Sequence, residues 1–359
     1  MRAALLQTTG DEKLQIVDDL EIGPPGDGEV TVKIEATGVC HSDLHAMNGA
    51  LPQGAPFIPG HEGAGVVSAV GEGVHTLQVG DHVIVAWSPP CGKCNNCVER
   101  KSPHLCVMIQ FAVAGLPRFK RNGEDIMGMA GTGTFAEYLN LPQEAAIKID
   151  DDVPFEIASL IGCGVSTGAG AAINTAKVKP GSSVVVFGCG GVGIAAIQGA
   201  HVCGAATIVA VDLVPEKLEL AKTFGATHAC HPDDLAALQA ELTGDGFDYA
   251  FEAIGLPVTM RAAYDAVRRG GTACIIGVGT MDNEVTFNGF ELFFMEKTLM
   301  GSYYGSVDVR SDFHKLLQLW KSGQLNLDAM ITNRMKIDDI NDAFDLLRKG
   351  EAIRTVITF

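Results

Sequence analysis

Val184-Val-Val-Phe-Gly188-Cys-Gly190-Gly191-Val192-Gly193 opens the stretch that decides the fold, and Thr207-Ile-Val-Ala-Val-Asp212 closes it. Val184–Phe187 is the short unbroken apolar run of a strand buried on both faces. Gly188, Gly190 and Gly193 follow as G-x-G-x-x-G. In such a loop the first glycine permits a tight turn. The second lets backbone approach a pyrophosphate, and the third lets a helix pack close to the strand. Ile194 to Cys203 contains no proline and predicts that helix, with Gly204 as its stop. A helix N-terminus presents unpaired N–H groups and the positive end of its dipole to phosphate. Thr207–Val211 reads as the next buried strand. Asp212 then stands about 20 residues beyond the glycines, where an acid accepts hydrogen bonds from an adenosine ribose. Glycines alone, in a chain with 43 of them, also suit a structural turn. Strand, loop, helix, strand and acid in register point to a dinucleotide.

The 359 residues imply two domains. A net charge of −17 argues against nucleic acid or anionic lipid as partners. No membrane span is expected: the most apolar region, Val184 to Val211, is interrupted by Gln198, His201 and glycines. The apolar stretch at the N-terminus is too short for a signal sequence. The expectation is a cytoplasmic protein whose ten cysteines serve metal or catalysis rather than disulfides.

Upstream, Val30–Ala36 alternates like a half-buried strand. Gly38-Val-Cys40-His41-Ser42-Asp43-Leu-His45 follows, dense in ligand-capable side chains, and then Gly60-His61-Glu62-Gly63. Cys40, His61 and Cys163 offer two thiolates and an imidazole, a set that suits zinc with an open fourth position. Spacing cannot join residues so far apart, and a lone histidine in a glycine-rich turn is more often structural. Cys91-x-x-Cys94-x-x-Cys97 with Cys106 differs: four thiols within sixteen positions can wrap one tetrahedral ion and close its shell, as a structural zinc requires. Disulfides fit the compartment poorly, and a redox C-x-x-C needs no third or fourth cysteine. Four thiolates also suit an iron–sulfur cluster, though the surroundings do not favour it. Val107 to Met129, with basic Arg118-Phe-Lys-Arg121, shows no period. It is expected to be a surface loop, either rimming a substrate entrance or simply solvated.

Phe155–Leu160 and Ala169–Ala176 predict helices. After Asp212 the alternation continues, with helices at Glu216–Phe224 and Val258–Arg268 and strands at Phe247–Glu252, Thr272–Ile276 and Leu299–Tyr304. Asp312–Trp320 and Asp338–Leu347 predict amphipathic helices, and Thr355–Phe359 a final strand. The second half is therefore expected to be α/β and doubly wound.

Five motifs in order, Gly60-His61-Glu62, the four-cysteine lobe, Gly162-Cys163-Gly164, the G-x-G-x-x-G and Ile353-Arg354-Thr355, resemble zinc-dependent medium-chain alcohol dehydrogenases. The resemblance runs over essentially the whole chain. It implies a Rossmann doubly wound parallel sheet at 165–307, binding NAD. A GroES-like, mainly β catalytic domain is implied at 1–164 and 308–359, with a zinc lobe at about 88–108. Two zinc ions per subunit follow. One is catalytic on Cys40, His61 and Cys163, with Glu62 beside it and Asp43 orienting His61. The other is structural on Cys91, Cys94, Cys97 and Cys106, although the gap before Cys106 is a residue longer than in many members. Zinc of this kind acidifies a substrate hydroxyl, and hydride passes to nicotinamide. Ser42 resembles the first relay hydroxyl for the departing proton and His45 its outer acceptor, the two joined through the nicotinamide ribose. His41 and Arg354 match pyrophosphate contacts, Lys217 a ribose contact, and Thr167 and Val278 positions near the nicotinamide. Asp212 repels a ribose phosphate, and Leu213 offers no arginine to hold one, so the cofactor is expected to be NAD.

Leu51, Trp87 and Val278 suggest an apolar pocket for primary or aromatic alcohols and their aldehydes, although Trp87 equally suits core packing. Glutathione-dependent formaldehyde dehydrogenases also resemble the chain. The acidic and arginine positions that hold the tripeptide stand here as Leu51 and Gln53, with no arginine just after Cys106. A thiol-adduct formaldehyde dehydrogenase, of mycothiol or glutathione type, is the alternative. A non-catalytic dinucleotide sensor is a third reading, opposed by the intact Cys40, Ser42, His61, Glu62 and Cys163. The family pairs subunits along a sheet edge, so a homodimer or homotetramer through Leu299–Tyr304 is expected.

Overall fold

The computed structural model describes residues 1–108 and 116–359. Two compact units emerge, one from Met1–Cys163, Asp308–Gln318 and Leu327–Phe359, the other from Gly164–Val307 and Leu319–Asn326.

In the second unit, six parallel strands lie in the spatial order His228–Cys230, Thr207–Val211, Ser183–Phe187, Phe247–Glu252, Val267–Ile275, Thr298–Gly301. By chain order within the sheet this is 3-2-1-4-5-6, the doubly wound arrangement whose ligands bind outside the strands' carboxyl ends where the order reverses. Ser183–Phe187 is the pivot. Phe187 pairs with Val211 on one side and Glu252 on the other, so Gly188, Asp212 and Ala253 leave the sheet side by side. Val184, Val185 and Val186 are fully buried, the reason that run is apolar without alternation.

Several expected boundaries shift. The helix after the glycine loop starts at Gly191 and runs to Val202, capped by an extended Gly190, rather than beginning at Ile194. Close packing outweighs the helix cost of about 1 kcal/mol per glycine. A Cβ on Gly193 would stand 1.7 Å from the Gly188 carbonyl oxygen. The helix expected at Val258–Arg268 is Pro257–Ala266, and Val267 already begins the strand that the sequence placed at Thr272. Gly270-Gly271 therefore sits inside a strand. The last strand ends at Gly301 rather than Tyr304, because Tyr304, Gly305 and Ser306 turn with φ between 53° and 64°. Strand His228–Cys230 and helix Leu235–Leu242 were not foreseen; both are short.

In the first unit a seven-stranded sheet carries, in order, Ala146–Lys148, His82–Val85, Glu62–Val70, Glu29–Val39, Arg354–Thr358 and Ile331–Lys336. Tyr138–Pro142 pairs with Glu29–Val39 as well. The core beneath includes Leu6, Ile34, Phe57, Phe135 and Phe344. Phe344 comes from the helix Ile340–Lys349, whose Ile340, Ala343, Phe344 and Leu347 are buried at helical spacing. The expected loop at Val107–Met129 is corrected where it is described. Phe119–Arg121 and Glu124–Gly128 form a hairpin, and Arg118 is buried with Nη1 donating to Glu29 Oε1 at 2.7 Å. Residues 109–115 of that loop lie outside the described residues.

Phe155–Leu160, Gly162-Cys163-Gly164 and Ala169–Ala176 were read as separate pieces. They form one helix from Phe155 to Thr175, with wider π turns at Ile161–Val165 and Ala171–Thr175. This helix, rather than Val184–Val211, is long and apolar enough to cross a bilayer. Of its most apolar stretch 83% is buried, as in a core helix.

Candidate functional site

Cys40 is the first residue beyond the strand Glu29–Val39 and the N-cap of the helix His41–Asn48. Asp43, in the first turn, is fully buried. Its Oδ2 accepts from Cys40 N at 2.9 Å; its Oδ1 accepts from Gly60 N at 3.0 Å and lies 3.1 Å from His61 Nδ1. One carboxylate thus ties both candidate ligand segments together. With Nδ1 committed to Asp43, His61 keeps Nε2 for another partner.

Strand register does the rest. Gly38 pairs with Glu62 on one side and Val356 on the other, and Val39 with Thr355. Glu62 is therefore carried beside Cys40, and Arg354 beside both. Cys163 arrives from the helix Phe155–Thr175. Donor atoms of Cys40, His61, Glu62 and Cys163 all lie within 4.8 Å of one another, and all four residues are buried. Two thiols, an imidazole and a carboxylate fit zinc, with three ligands from Cys40, His61 and Cys163 and room for a fourth.

The site's electrostatics favour deprotonated sulfur. The hydrogen bond from Cys163 holds the Cys40 thiol well below its usual range, against burial and with help from His61. Burial opposes charge on His61, yet Asp43 and Cys40 together raise it to about 10. Glu62 is fully buried and forms an ion pair with the guanidinium of Arg354, itself 4% exposed. Arg354, expected to contact the pyrophosphate, here pairs with Glu62. No local signal marks that pair, whose members are joined only by strand register. Gly38 was also missed. A Cβ there would sit 2.1 Å from Glu62 Oε2, and a glycine inside a strand is the signal that could have found it.

Ser42 and His45 stand one helical turn apart on His41–Asn48, both half-buried, while His41 is exposed. Ser42 Oγ is 3.8 Å from Cys40 Sγ. The ring of Trp87 meets His61 edge-on with centroids 6.3 Å apart, and Leu51 is half-buried.

The four thiols of the lobe also converge. Cys94 Sγ lies 3.5 Å from Cys97 and 3.7 Å from Cys106, and Cys91 Sγ lies 4.0 Å from Cys97. All four donors fall within 4.8 Å, and all ten cysteines are free thiols. Burial pushes Cys97 up to about 12, whereas the backbone N–H of Lys93 draws Cys91 down to about 6. A closed sulfur shell of this kind suits a structural zinc.

In the second unit, Gly188 turns at φ +94°, and nothing lies within 4 Å of where a Cβ on Gly190 would stand. The loop is open there, as close approach of a pyrophosphate requires. Asp212 accepts from Cys189 N at 2.7 Å and Val214 N at 3.0 Å, which pins the glycine loop to the end of the neighbouring strand. Lys217 and Thr167 are half-buried, and Val278 is exposed just past the strand Val267–Ile275. Gly191 and Val192 open the helix whose N–H groups face the loop.

Residues 26–151 match the family described as alcohol dehydrogenase GroES-like domain, and 191–322 that described as zinc-binding dehydrogenase. An S-(hydroxymethyl)glutathione dehydrogenase of Synechocystis sp. is 42% identical, aligned over 100% of this chain and 99% of its own. An alcohol dehydrogenase class-3 of Drosophila melanogaster is 41% identical over 97% and 95%. Among solved structures, a benzyl alcohol dehydrogenase from Acinetobacter calcoaceticus superposes with a TM-score of 0.90 at 34% identity, covering 100% and 99%.

Proposed function

Because this chain belongs to the zinc-dependent medium-chain alcohol dehydrogenase family, we propose that it oxidises a hydroxymethyl group reversibly with NAD, and that the group is carried on a thiol adduct of formaldehyde. The convergence of Cys40, His61, Glu62 and Cys163 in one buried place supports the reaction class. The names of full-length relatives at 41–42% identity support the adduct over the primary and aromatic alcohols that Leu51, Trp87 and Val278 suggest. The simpler alcohols remain the second reading, favoured by Leu51 and Gln53 and by the likeness to a benzyl alcohol dehydrogenase.

Zinc held by Cys40, His61 and Cys163 would supply Lewis acidity that lets the substrate hydroxyl lose its proton near neutral pH. Ser42 Oγ receives that proton and His45 carries it outward. Asp43 keeps His61 in the ligating tautomer. Arg354 pairs with Glu62, so a buried carboxylate beside the metal position is not left without a partner. Asp212 selects NAD, and the open Gly190 admits its pyrophosphate. Trp87 and Leu51 give the substrate apolar surface.

NADH formation tests the proposal. Formaldehyde with glutathione or mycothiol should be turned over, and a zinc chelator should abolish the rate. Turnover of benzyl alcohol or hexanol, with formaldehyde indifferent to added thiol, would favour the second reading. No turnover of any of these would sink both. For assembly we propose pairing of two copies along the edge strand Thr298–Gly301. Leu299 and nearby Phe290 and Phe293 are exposed at 41, 69 and 80%. Light scattering that reports a monomer at micromolar concentration would refute it.

A further inference from the structure

The four-thiolate lobe has a charge problem that its own segment does not solve. Four thiolates around a divalent ion leave about two negative charges, in a chain that already carries −17. The lobe's own cations Lys93, Arg100 and Lys101 are all exposed. Arg310, far along the chain on the helix Val309–Lys321 but in the same unit as the lobe, reaches it and is itself exposed. Asp308 clamps that guanidinium twice, Nε to Oδ1 and Nη2 to Oδ2, each at 2.9 Å. The clamp turns Nη1 toward the lobe, 3.8 Å from where a Cβ on Gly92 would stand. Gly92 lies between Cys91 and Cys94, so the guanidinium abuts the turn that carries both thiols. Arg310, Cys91 and Gly92 also line one cavity of about 520 Å³, together with His75, Lys148 and His314. Glu144 lines the same cavity, and the cation beside the Cys91–Gly92 turn is Arg310.

We propose that Arg310 is the external charge partner of the sulfur lobe, a positioning residue through which the helix Val309–Lys321 holds the lobe's metal in place. This rests on the reading that Cys91, Cys94, Cys97 and Cys106 bind a metal. Arg310 does not touch the metal. It lowers the energy of the thiolate cluster across the Gly92 turn, and Asp308 fixes its direction. Half of the Arg310 side chain is exposed, so the effect is modest and sensitive to salt.

The test uses the full-length protein with cobalt exchanged for zinc, because sulfur-to-cobalt absorption distinguishes a four-thiolate site from one with two thiolates and an imidazole. Release of lobe cobalt to excess chelator is followed by stopped flow for wild type, Arg310→Gln, Arg310→Lys and Asp308→Asn. Arg310→Gln should release the metal about two- to fivefold faster at low salt. Arg310→Lys should stay close to wild type, and Asp308→Asn should fall between. Raising salt should bring wild type toward Arg310→Gln while leaving the variant's rate nearly flat. Loss from the Cys40, His61, Cys163 site should not change. A wild-type release rate in Arg310→Gln, or equal salt dependence in the two proteins, overturns the inference. Wild-type protein without the four-thiolate bands overturns the metal reading itself, and the inference with it.

Discussion

Replacing Asp43 with asparagine changes one atom, and the structure lets its cost be followed atom by atom. The carboxylate serves three donors: Cys40 N on Oδ2, and Gly60 N and His61 Nδ1 on Oδ1. An amide has a single acceptor oxygen. If that oxygen keeps Gly60 and His61, the amide NH₂ faces the Cys40 N–H at 2.9 Å, donor against donor. Leaving a buried donor unsatisfied costs about 1–3 kcal/mol. If the amide flips, its NH₂ faces His61 Nδ1. The imidazole must then accept there and carry its proton on Nε2, which removes it as a ligand. The first arrangement keeps the bond to His61 but loses the carboxylate's charge, and a change in such a supporting partner usually costs about 10- to 100-fold in metal affinity. The second loses ligation outright. The expected result is a drop of about 1–3 kcal/mol in stability of the metal-free protein, with zinc retention weakened at least about tenfold. Denaturant unfolding of stripped protein gives the first number. Competition with a chromogenic chelator gives the second, the lobe's metal serving as an internal control. If Asp43→Asn keeps one zinc at this site with wild-type affinity, the placement of Asp43 as the orienting group for His61 is wrong.

Other expectations follow from the same contacts. In stripped protein the folded-state value of His61, about 10, lies above its ordinary 6.5. Its contribution to stability is therefore full below pH 6.5 and is lost as pH climbs through about 10. The stability gap between wild type and Asp43→Asn should narrow over that window, and a gap that widens would refute the assignment. Gly193→Ala and Gly190→Ala should part company. The first drives a Cβ into the Gly188 carbonyl and should cost about 1–3 kcal/mol of stability. The second meets open space, and should melt normally while binding NADH at least about tenfold more weakly, as read by fluorescence titration. Asp212→Gly with Leu213→Arg should move the ratio of kcat/KM from NAD toward NADP by about tenfold or more. Loss of the Asp212 carboxylate, which accepts from Cys189 N and Val214 N, should lower Tm as well. Gly38→Ala should collide with the Glu62–Arg354 pair and lower both stability and turnover, whereas Gly54→Ala, with nothing within 4 Å of its Cβ, should melt like wild type.

What could be read along the chain was whatever short-range physics controls. The β-branched run before Gly188, the glycine spacing and the acid after Val211 are local, and the structure returns them as a parallel sheet in the 3-2-1-4-5-6 order. The lobe cysteines sit within sixteen positions, so chain geometry alone brings them near one another. Element boundaries fared worse where packing overruled propensity. Glycines opened a helix at Gly191, Gly270-Gly271 lay inside a strand, and Arg118, at the head of a basic stretch, is buried where it meets Glu29.

Cys40, His61 and Cys163 stood in the sequence as three separate possibilities, and only likeness to a family joined them. Their meeting is set by pairing of Glu29–Val39 with Glu62–Val70 and by a helix that delivers Cys163. The same sheet then carries Arg354 to Glu62 across nearly the whole chain length. Composition and pattern determine which side chains are buried and which turns close, because those energies are summed over neighbours in sequence. Which buried charges face each other is decided by strand register, and register is chosen by the fit of the entire core.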